Sequence, residues 1–341
     1  MSDSSASGVN GILPCQAIDE LIASGAVAAD GGIGAGQVQP ASLDLRLGRR
    51  AWRVRASFLP RPGGTVAGRI ADVAMHELDL TGGAVLERGC VYIVELAERL
   101  RLPADICARA NPKSSTGRLD VFVRLLTDGQ SAFDDIAAGY AGPIFLEIAP
   151  QTFSVLARAG TRLNQLRLKR GTTPTLKVQS IGVDLSGEIA GFRARRHAGV
   201  VNLDLEGGHD PRDFWEPLVA RRGELLLDPG EFYILASKDE VEIPAHQAAE
   251  MTPIDPAVGE FRVHYAGFFD PGFGTVEAGG EGSRGVLEVR SHETPFLLED
   301  GQAVARLSFE ALTDRPTRLY GAGGSHYQRQ GLRLSKHFRE W

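Results

Sequence analysis

The densest cluster of reactive side chains is Asn111-Pro-Lys-Ser-Ser-Thr-Gly-Arg118. Its Ser-Ser-Thr-Gly core offers consecutive backbone N–H groups and three hydroxyls, with Lys113 and Arg118 on either side. Backbone nests with cationic neighbours suit phosphate groups. The same residues are also typical of a capped turn that opens a short helix, with Ser114 as the N-cap. This serine turn, residues 113–118, is therefore a candidate phosphate site with a structural alternative.

Glu147 is the second candidate, because it interrupts the otherwise apolar segment Gly142-Pro-Ile-Phe-Leu-Glu-Ile-Ala149. A carboxylate in an apolar strand is either paired for structural reasons or positioned for proton transfer with a raised pKa. The residue types alone leave both alternatives open.

Composition restricts the class of protein that carries these candidates. The chain has 341 residues, 43% of them hydrophobic and 23% charged, which is typical of a folded protein of one or two domains. No apolar run approaches the roughly 20 residues of a membrane span, and the N-terminus lacks the features of a signal peptide. The net charge of −6 argues against a nucleic-acid partner. We expect a cytoplasmic protein without a membrane partner.

Cysteine and glycine patterns indicate no metal or dinucleotide site. Cys15, Cys90 and Cys107 are isolated and form no C-x-x-C, which argues against disulfides and a zinc knuckle and favours a reducing compartment. Gly31-Gly-Ile-Gly-Ala-Gly36 follows no predicted strand and has the wrong spacing for a dinucleotide loop, so we interpret it as a flexible loop.

The elements that must position these residues are mostly strands. Short strand-like runs, separated by 41 glycines and 18 prolines, include residues 90–96, 144–148, 231–235 and 286–289. Such a pattern predicts an all-β protein, a sandwich or barrel rather than βαβ units. Helices are predicted only over 14–24 and, as one to two turns, over 132–138.

An internal repeat organises the chain. Tyr92 and Tyr233 stand 141 residues apart, and the same offset relates Pro103 to Pro244, Glu147 to Glu288 and Gly160 to Gly301. Four matches at one offset indicate two copies of one β-rich module. We place module one at residues 1–170, a polar and basic linker at 171–199, and module two at 200–341.

Several motifs together resemble the dCTP deaminase family. Gln37-Val-Gln-Pro-Ala-Ser-Leu-Asp-Leu-Arg-Leu-Gly48 is similar to that family's N-terminal signature, and the serine turn is similar to its Arg-Ser-Ser-x-x-Arg motif. The glycine-flanked strand that contains Glu147 resembles the strand with the catalytic glutamate, and Gly160-Thr-Arg-Leu-Asn-Gln-Leu166 resembles the next strand. Tyr320 and His326-Tyr-Gln-Arg-Gln330 resemble the triphosphate-binding tail.

The resemblance implies two tandem, dUTPase-like distorted β-barrel modules in a trimer or a multiple of trimers, with active sites between subunits. It implies hydrolytic deamination of dCTP to dUTP and ammonia in pyrimidine deoxynucleotide biosynthesis. Glu147 would be the general base and proton shuttle, which is a role that a carboxylate with a tuned pKa can perform. Ser114 and Arg118 would hold the water and the glutamate. Lys113, Ser115, Tyr320, His326 and Gln330 would bind substrate, and Mg²⁺ would arrive on the triphosphate, with no metal ligands from the protein.

Four departures accompany the resemblance. Lys113 and His326 replace a usual arginine and lysine, and Ala137-Ala138-Gly139 replaces an Asp-Pro-Gly that survives in module two as Asp270-Pro271-Gly272. Module two has no serine turn in its matching residues, 252–259, and so keeps Glu288 without partners. We therefore predict that module two is structural and donates the tail.

Three alternatives stay open. An enzyme of the same fold could cleave dUTP or carry out both steps, a non-catalytic regulator could bind nucleotides, and a barrel protein could assemble without any ligand. The sequence also lacks the H-x-E and P-C-x-x-C signature of zinc deaminases, so we expect no zinc.

Overall fold

The computed structural model describes residues 9–254, 267–291, 293–322 and 327–341, and the backbone of 261–264. Three helices are short: α1 (Cys15–Ala23), α2 (Val66–Val73) and α3 (Ser114–Gly117). Turns of 3₁₀ helix occupy Pro211–Asp213 and Val276–Ala278. Among the described residues, no helix is long and apolar enough to span a bilayer.

Strands dominate both halves of the chain, as predicted. The first half contains β1 (Gly11–Ile12), β2 (Val27–Ala29), β3 (Leu43–Val54), β4 (Ala74–Asp79), β5 (Ala84–Leu86), β6 (Val91–Arg101), β7 (Ile106–Pro112), β8 (Val121–Thr127), β9 (Asp135–Ile136), β10 (Ala141–Pro150), β11 (Val155–Ala157) and β12 (Arg162–Arg170).

The second half contains β13 (Thr175–Gly182), β14 (Gly191–Ala194), β15 (Val201–Asn202), β16 (Trp215–Leu218), β17 (Glu224–Leu227), β18 (Phe232–Glu240), β19 (Gln247–Pro253), β20 (Phe261–His264), β21 (Phe268–Phe269), β22 (Arg284–Ser291), β23 (Phe296–Glu299) and β24 (Ala303–Ala311).

The repeat found in the sequence recurs in the strand pairing. In module one, β10 lies between β6 and β8, and Glu147 is opposite Ile93. In module two, β22 lies between β18 and β20, and Glu288 is opposite Ile234, both shifted by 141 positions. β12 and β7 likewise correspond to β24 and β19. The two modules therefore share a topology as well as motifs.

The predicted linker is wrong in its extent. Strands β13 and β14 lie within residues 171–199, and they pair with β24 and with β16 and β18, respectively. Their alternating apolar residues fill module two, where Ile181 and Phe192 are buried. Module two therefore begins near Thr175, because this polar stretch carries one buried face.

Local predictions about helices were partly right. Helix α1 agrees with the prediction, and its Ile18 and Leu21 are buried. Residues 132–138 form no helix, because Asp134 adopts a positive φ of 64° and Asp135–Ile136 pair with β7 as strand β9. Helix α2 was not predicted, although Thr65 caps its N-terminus and Val66, Ile70 and Val73 are buried at helical spacing.

The two modules share one core. The largest hydrophobic cluster contains Leu43 and Leu146 of module one together with Phe192 and Ile234 of module two. Strand β15 also pairs with β11 of module one in parallel. The shared hydrophobic core and this strand pairing hold the two modules in one relative position, so a space between them has a fixed shape.

Candidate active site

A cavity of about 930 Å³ lies between the two modules. Module one contributes the serine turn and residues 158–163 to its wall, and module two contributes part of β22, residues 267–270 and residues of the C-terminal tail. Small-molecule sites commonly occupy 300–1,000 Å³ at such interfaces. The cavity is therefore the principal candidate for a ligand site.

The serine turn is fixed by module one. Both the N–H of Lys113 (3.0 Å) and the Thr116 hydroxyl (2.8 Å) donate to the carbonyl of Leu163, which anchors the turn to β12. Helix α3 starts at Ser114, with Lys113 at the N-cap and no side-chain cap. Ser114 and Ser115 both line the cavity, as a ligand-binding role requires.

Arg118 is the point where the turn meets the tail. Its guanidinium is buried, lies 3.9 Å from the centre of the Tyr327 ring, and donates from Nη2 to Oε1 of Gln330 at 2.9 Å. Nη1 donates to the carbonyl of Arg333 at 3.1 Å. Residues of module one and of the end of module two therefore meet at one site, as the division of motifs between the modules predicts.

Of the two glutamates related by the repeat, Glu288 lines this cavity and Glu147 does not. Glu288 is buried on β22 and lines the cavity together with Arg118 and Ser114. Burial raises the pKa of Glu288 from 4.5 to about 8, although the positive charge of Arg118 opposes that rise. A carboxyl whose pKa lies near neutrality is suited to taking and returning a proton.

Glu147 is paired instead with an arginine of its own module. Nε and Nη2 of Arg124 donate to Oε1 of Glu147 at 3.0 and 2.7 Å, and the Arg124 guanidinium lies 3.6 Å from the centre of the Phe133 ring. Phe145, on the same face of β10, packs against α2. Glu147 is not among the residues that line the cavity, so the structure does not bring it to Ser114 and Arg118 as predicted. This geometry agrees with the structural alternative for a carboxylate in an apolar strand.

An ion pair between Arg290 and Asp120 connects β22 to the residues that follow the serine turn. Arg290, two positions after Glu288, donates to Asp120, two positions after Arg118. Nη2 of Arg290 also donates to the Thr152 hydroxyl at 3.1 Å. The position equivalent to Arg290 in module one is Ala149, so β10 has no corresponding charged side chain there.

Asp270 is another buried carboxylate of the cavity wall, besides Glu288 and Asp44. Among the described residues, no hydrogen-bond donor reaches its Oδ1. Burial raises the pKa of Asp270, and the fully buried Arg167, 3.6 Å away, opposes that rise. The Asp-Pro-Gly that survives only in module two thus marks the module whose strand faces the cavity. This difference between the two modules is visible in the sequence.

The remaining predicted substrate-binding residues have different surroundings. Tyr320 lines the cavity and packs on Phe273 with ring centroids 5.5 Å apart. Gln330 also lines it, but its amide contacts Arg118 and the carbonyl of Arg284. The ammonium of Lys113 is 2.5 Å from Oδ1 of Asp44, so its charge is already paired. His326 lies outside the described residues.

Comparisons with known proteins identify the family. The family model for the N-terminal domain of 2'-deoxycytidine 5'-triphosphate deaminase matches residues 9–172, and that for the C-terminal domain matches residues 156–338. A similar solved structure is the crystal structure of 2'-deoxycytidine 5'-triphosphate deaminase from Agrobacterium tumefaciens. Its sequence is 53% identical to this chain, and the two structures match with a TM-score of 0.86 over 89% of this chain and 99% of that chain.

Curated relatives match a shorter stretch. A dCTP deaminase from Halorubrum lacusprofundi is 31% identical over 38% of this chain, a match that spans 62% of that enzyme. A dUMP-forming dCTP deaminase from Kocuria rhizophila is 32% identical over 40% of this chain and 69% of its own length.

The fold and the site define a two-module β-barrel enzyme with a buried carboxyl side chain in the cavity between its modules. The chain belongs to the dCTP deaminase family, with the dUTPase-like fold that the sequence motifs predict.

Proposed function

We propose that this chain deaminates dCTP to dUTP and ammonia in the cavity between its modules, with Glu288 as the general base. The observation that carries the proposal is the placement of Glu288, with a pKa raised to about 8, beside Arg118 and the serine turn. The family resemblance assigns this role to Glu147, but the contacts of Glu147 with Arg124 make the second copy of the motif the better candidate.

The proposed reaction needs one proton shuttle. Ionised Glu288 removes a proton from water, and the resulting hydroxide attacks C4 of cytosine. Protonated Glu288 returns this proton to N3 of the cytosine ring. Glu288 then transfers the remaining hydroxyl proton from the C4 oxygen to the amino group, so that ammonia leaves, a C4 carbonyl remains and Glu288 is ionised again. Arg118 stabilises the ionised glutamate, and Ser114 positions the water, which are contributions that pre-placed charges and donors can make without reorganisation.

The rest of the cavity suits a deoxynucleoside triphosphate. Oδ1 of Asp270 receives no hydrogen bond from the described residues, so it can accept one from a sugar hydroxyl. Lys113, Ser115, Tyr320 and Gln330 line the cavity and are the candidates for contact with phosphate oxygens, together with His326 of the tail. Lys113 would then contact phosphate while paired with Asp44. Magnesium enters as part of the substrate, bound by the triphosphate. Assembly into a trimer or a multiple of it, a cytoplasmic location and the absence of zinc stay predictions.

Product analysis tests the proposed function. Purified protein incubated with dCTP and magnesium should form dUTP and ammonia in equal amounts. Anion-exchange chromatography separates dUTP from dCTP and dUMP, and ammonia is measured in the same samples. Accumulation of dUMP and pyrophosphate would instead indicate the second candidate, which the dUMP-forming name of the Kocuria relative favours. Release of no ammonia would contradict both.

The pKa of Glu288 predicts a pH profile. Because the base must be ionised in the free enzyme, log(kcat/KM) for dCTP should rise with a slope of about one as the pH increases towards 8, and then level. The same shift means that the folded protein holds a proton that the unfolded chain releases. The free energy of unfolding should therefore fall as the pH rises from about 4.5 to 8. A kcat/KM independent of pH between 6 and 8 would contradict this role.

A further inference from the structure

The last residues of the chain pass directly behind the serine turn. The terminal segment, residues 331–341, is held on module two, where the Phe338 ring lies 5.2 Å from that of Phe214. Backbone bonds of 2.9 Å from Gly207 to the carbonyl of Lys336 and from Arg339 to that of His209 add to this hold. The segment is therefore fixed independently of the turn that it touches.

The principal contact of the terminal segment with the turn is a hydrogen bond to a carbonyl that has no partner within α3. Helix α3 is four residues long, so most of its backbone groups need partners from outside. The N–H of Leu119, which would reach the carbonyl of Ser115 in a longer helix, donates instead to Thr116 at 3.1 Å. The buried hydroxyl of Ser335 donates to the carbonyl of Ser115 at 2.8 Å, across 220 residues of chain.

His337 holds that hydroxyl. Its Nδ1 lies 3.0 Å from Oγ of Ser335. A hydroxyl has one hydrogen, and the carbonyl of Ser115 can only accept, so the bond to Ser115 uses the hydrogen of Ser335. We therefore infer the tautomer of His337 in which Nδ1 donates to Oγ of Ser335. Burial and the nearby charge of Lys336 lower the pKa of His337 to about 4, which leaves a neutral ring above pH 5.

The same segment constrains the other end of the turn. Arg118, the last residue of the turn, donates to the carbonyl of Arg333 in the terminal segment at 3.1 Å. Ser335 therefore holds the start of the turn through Ser115, while the backbone of Arg333 holds its end. Small displacements of groups that contact reacting atoms lower the rate of a reaction steeply.

We propose that Ser335 and His337 are positioning residues, which hold the serine turn in its catalytic geometry through the carbonyl of Ser115. This inference rests on the proposed function. Neither residue takes part in proton transfer to the substrate. Ser335 does not line the cavity, and its role is to orient Ser114 and Ser115, which do. His337 lines the cavity as well, and its role towards the turn is to hold the Ser335 hydroxyl.

Ser335→Ala, compared with a matched control, tests the proposal. Ser291→Ala removes another buried hydroxyl, which donates to the carbonyl of Thr294 at 2.7 Å and does not line the cavity. Both variants should lose a similar amount of thermal stability. At a temperature where both are folded, Ser335→Ala should lower kcat for dCTP about tenfold, a loss of about 1.4 kcal/mol in transition-state stabilisation. Ser291→Ala should keep kcat within about twofold.

A pair of variants at His337 provides a second readout if Ser335→Ala does not fold. His337→Asn retains an N–H near the position of Nδ1, whereas His337→Leu does not. The asparagine variant should keep most of the wild-type kcat, and the leucine variant should lose it about as Ser335→Ala does. Equal kcat in the two, or an unchanged kcat in Ser335→Ala, would overturn the proposal. If Glu288→Gln is inactive while Ser335→Ala is fully active, this inference fails and the proposed function stands.

Discussion

Glu288→Gln is expected to lower kcat for dCTP by about 10²- to 10⁴-fold, because the amide keeps the shape of the side chain but cannot accept the proton of the attacking water. The site retains its other contacts, so dCTP should still bind. Ammonia release measured under saturating dCTP gives kcat, and calorimetry gives the affinity.

Glu147→Gln is the matched control for this experiment. Glu147 occupies the equivalent position of the same strand in module one, and its partner is Arg124 rather than the serine turn. This variant should keep kcat within a few-fold of wild type and lose stability. A collapse of kcat in Glu147→Gln with little change in Glu288→Gln would show that the other copy is catalytic.

Arg118→Met is expected to produce the second large effect, a fall in kcat of about 10²-fold or more. Methionine preserves much of the volume but removes the charge that favours the ionised form of Glu288, and it also removes the donors to Gln330 and Arg333. The pKa of Glu288 should rise further, since Arg118 opposes the effect of burial. The pH at which kcat/KM levels should therefore move upward.

Two further variants separate this effect from a loss of folding. Arg124→Met removes the arginine that pairs with Glu147, as Arg118→Met removes the arginine beside Glu288. It should destabilise the fold but leave kcat near wild type at temperatures where the variant is folded. Arg118→Lys keeps a positive charge without the planar fork of donors, and it should recover only part of the activity. Unchanged kcat in folded Arg118→Met would remove this residue from the site.

The serine turn could be found from sequence because its chemistry lies in consecutive residues. Ser114, Ser115 and Arg118 are close in the chain, and the structure places all three at the cavity. The carboxylate that faces the turn could not be assigned in this way, because Arg118 and Glu288 are distant in sequence and both modules retain a glutamate on the corresponding strand. Only the packing of the modules decides which glutamate meets the turn.

Two signals in the sequence did distinguish the copies. Asp270-Pro271-Gly272 precedes Glu288, whereas Ala137-Ala138-Gly139 precedes Glu147. Arg290 follows Glu288 at the position where Ala149 follows Glu147, and it contacts Asp120 beyond the turn. Both differences indicate which glutamate faces the cavity only once the structure shows that β22 lies against the turn. Likewise, nothing in the sequence around Ser335 indicates that its hydroxyl reaches Ser115.

The central claim is that Arg118 and Glu288 of one chain form one active site, and mixing the two inactive variants tests it most directly. Chains with Arg118→Met and chains with Glu288→Gln would be co-expressed with different affinity tags and purified through both tags, with a wild-type and Glu288→Gln pair as the positive control. Because every site formed within one chain then carries one of the two defects, the mixed sample should release no more ammonia from dCTP than the single variants do. Recovery of a substantial fraction of the control activity would show that the arginine and the glutamate come from different chains, and it would contradict the account.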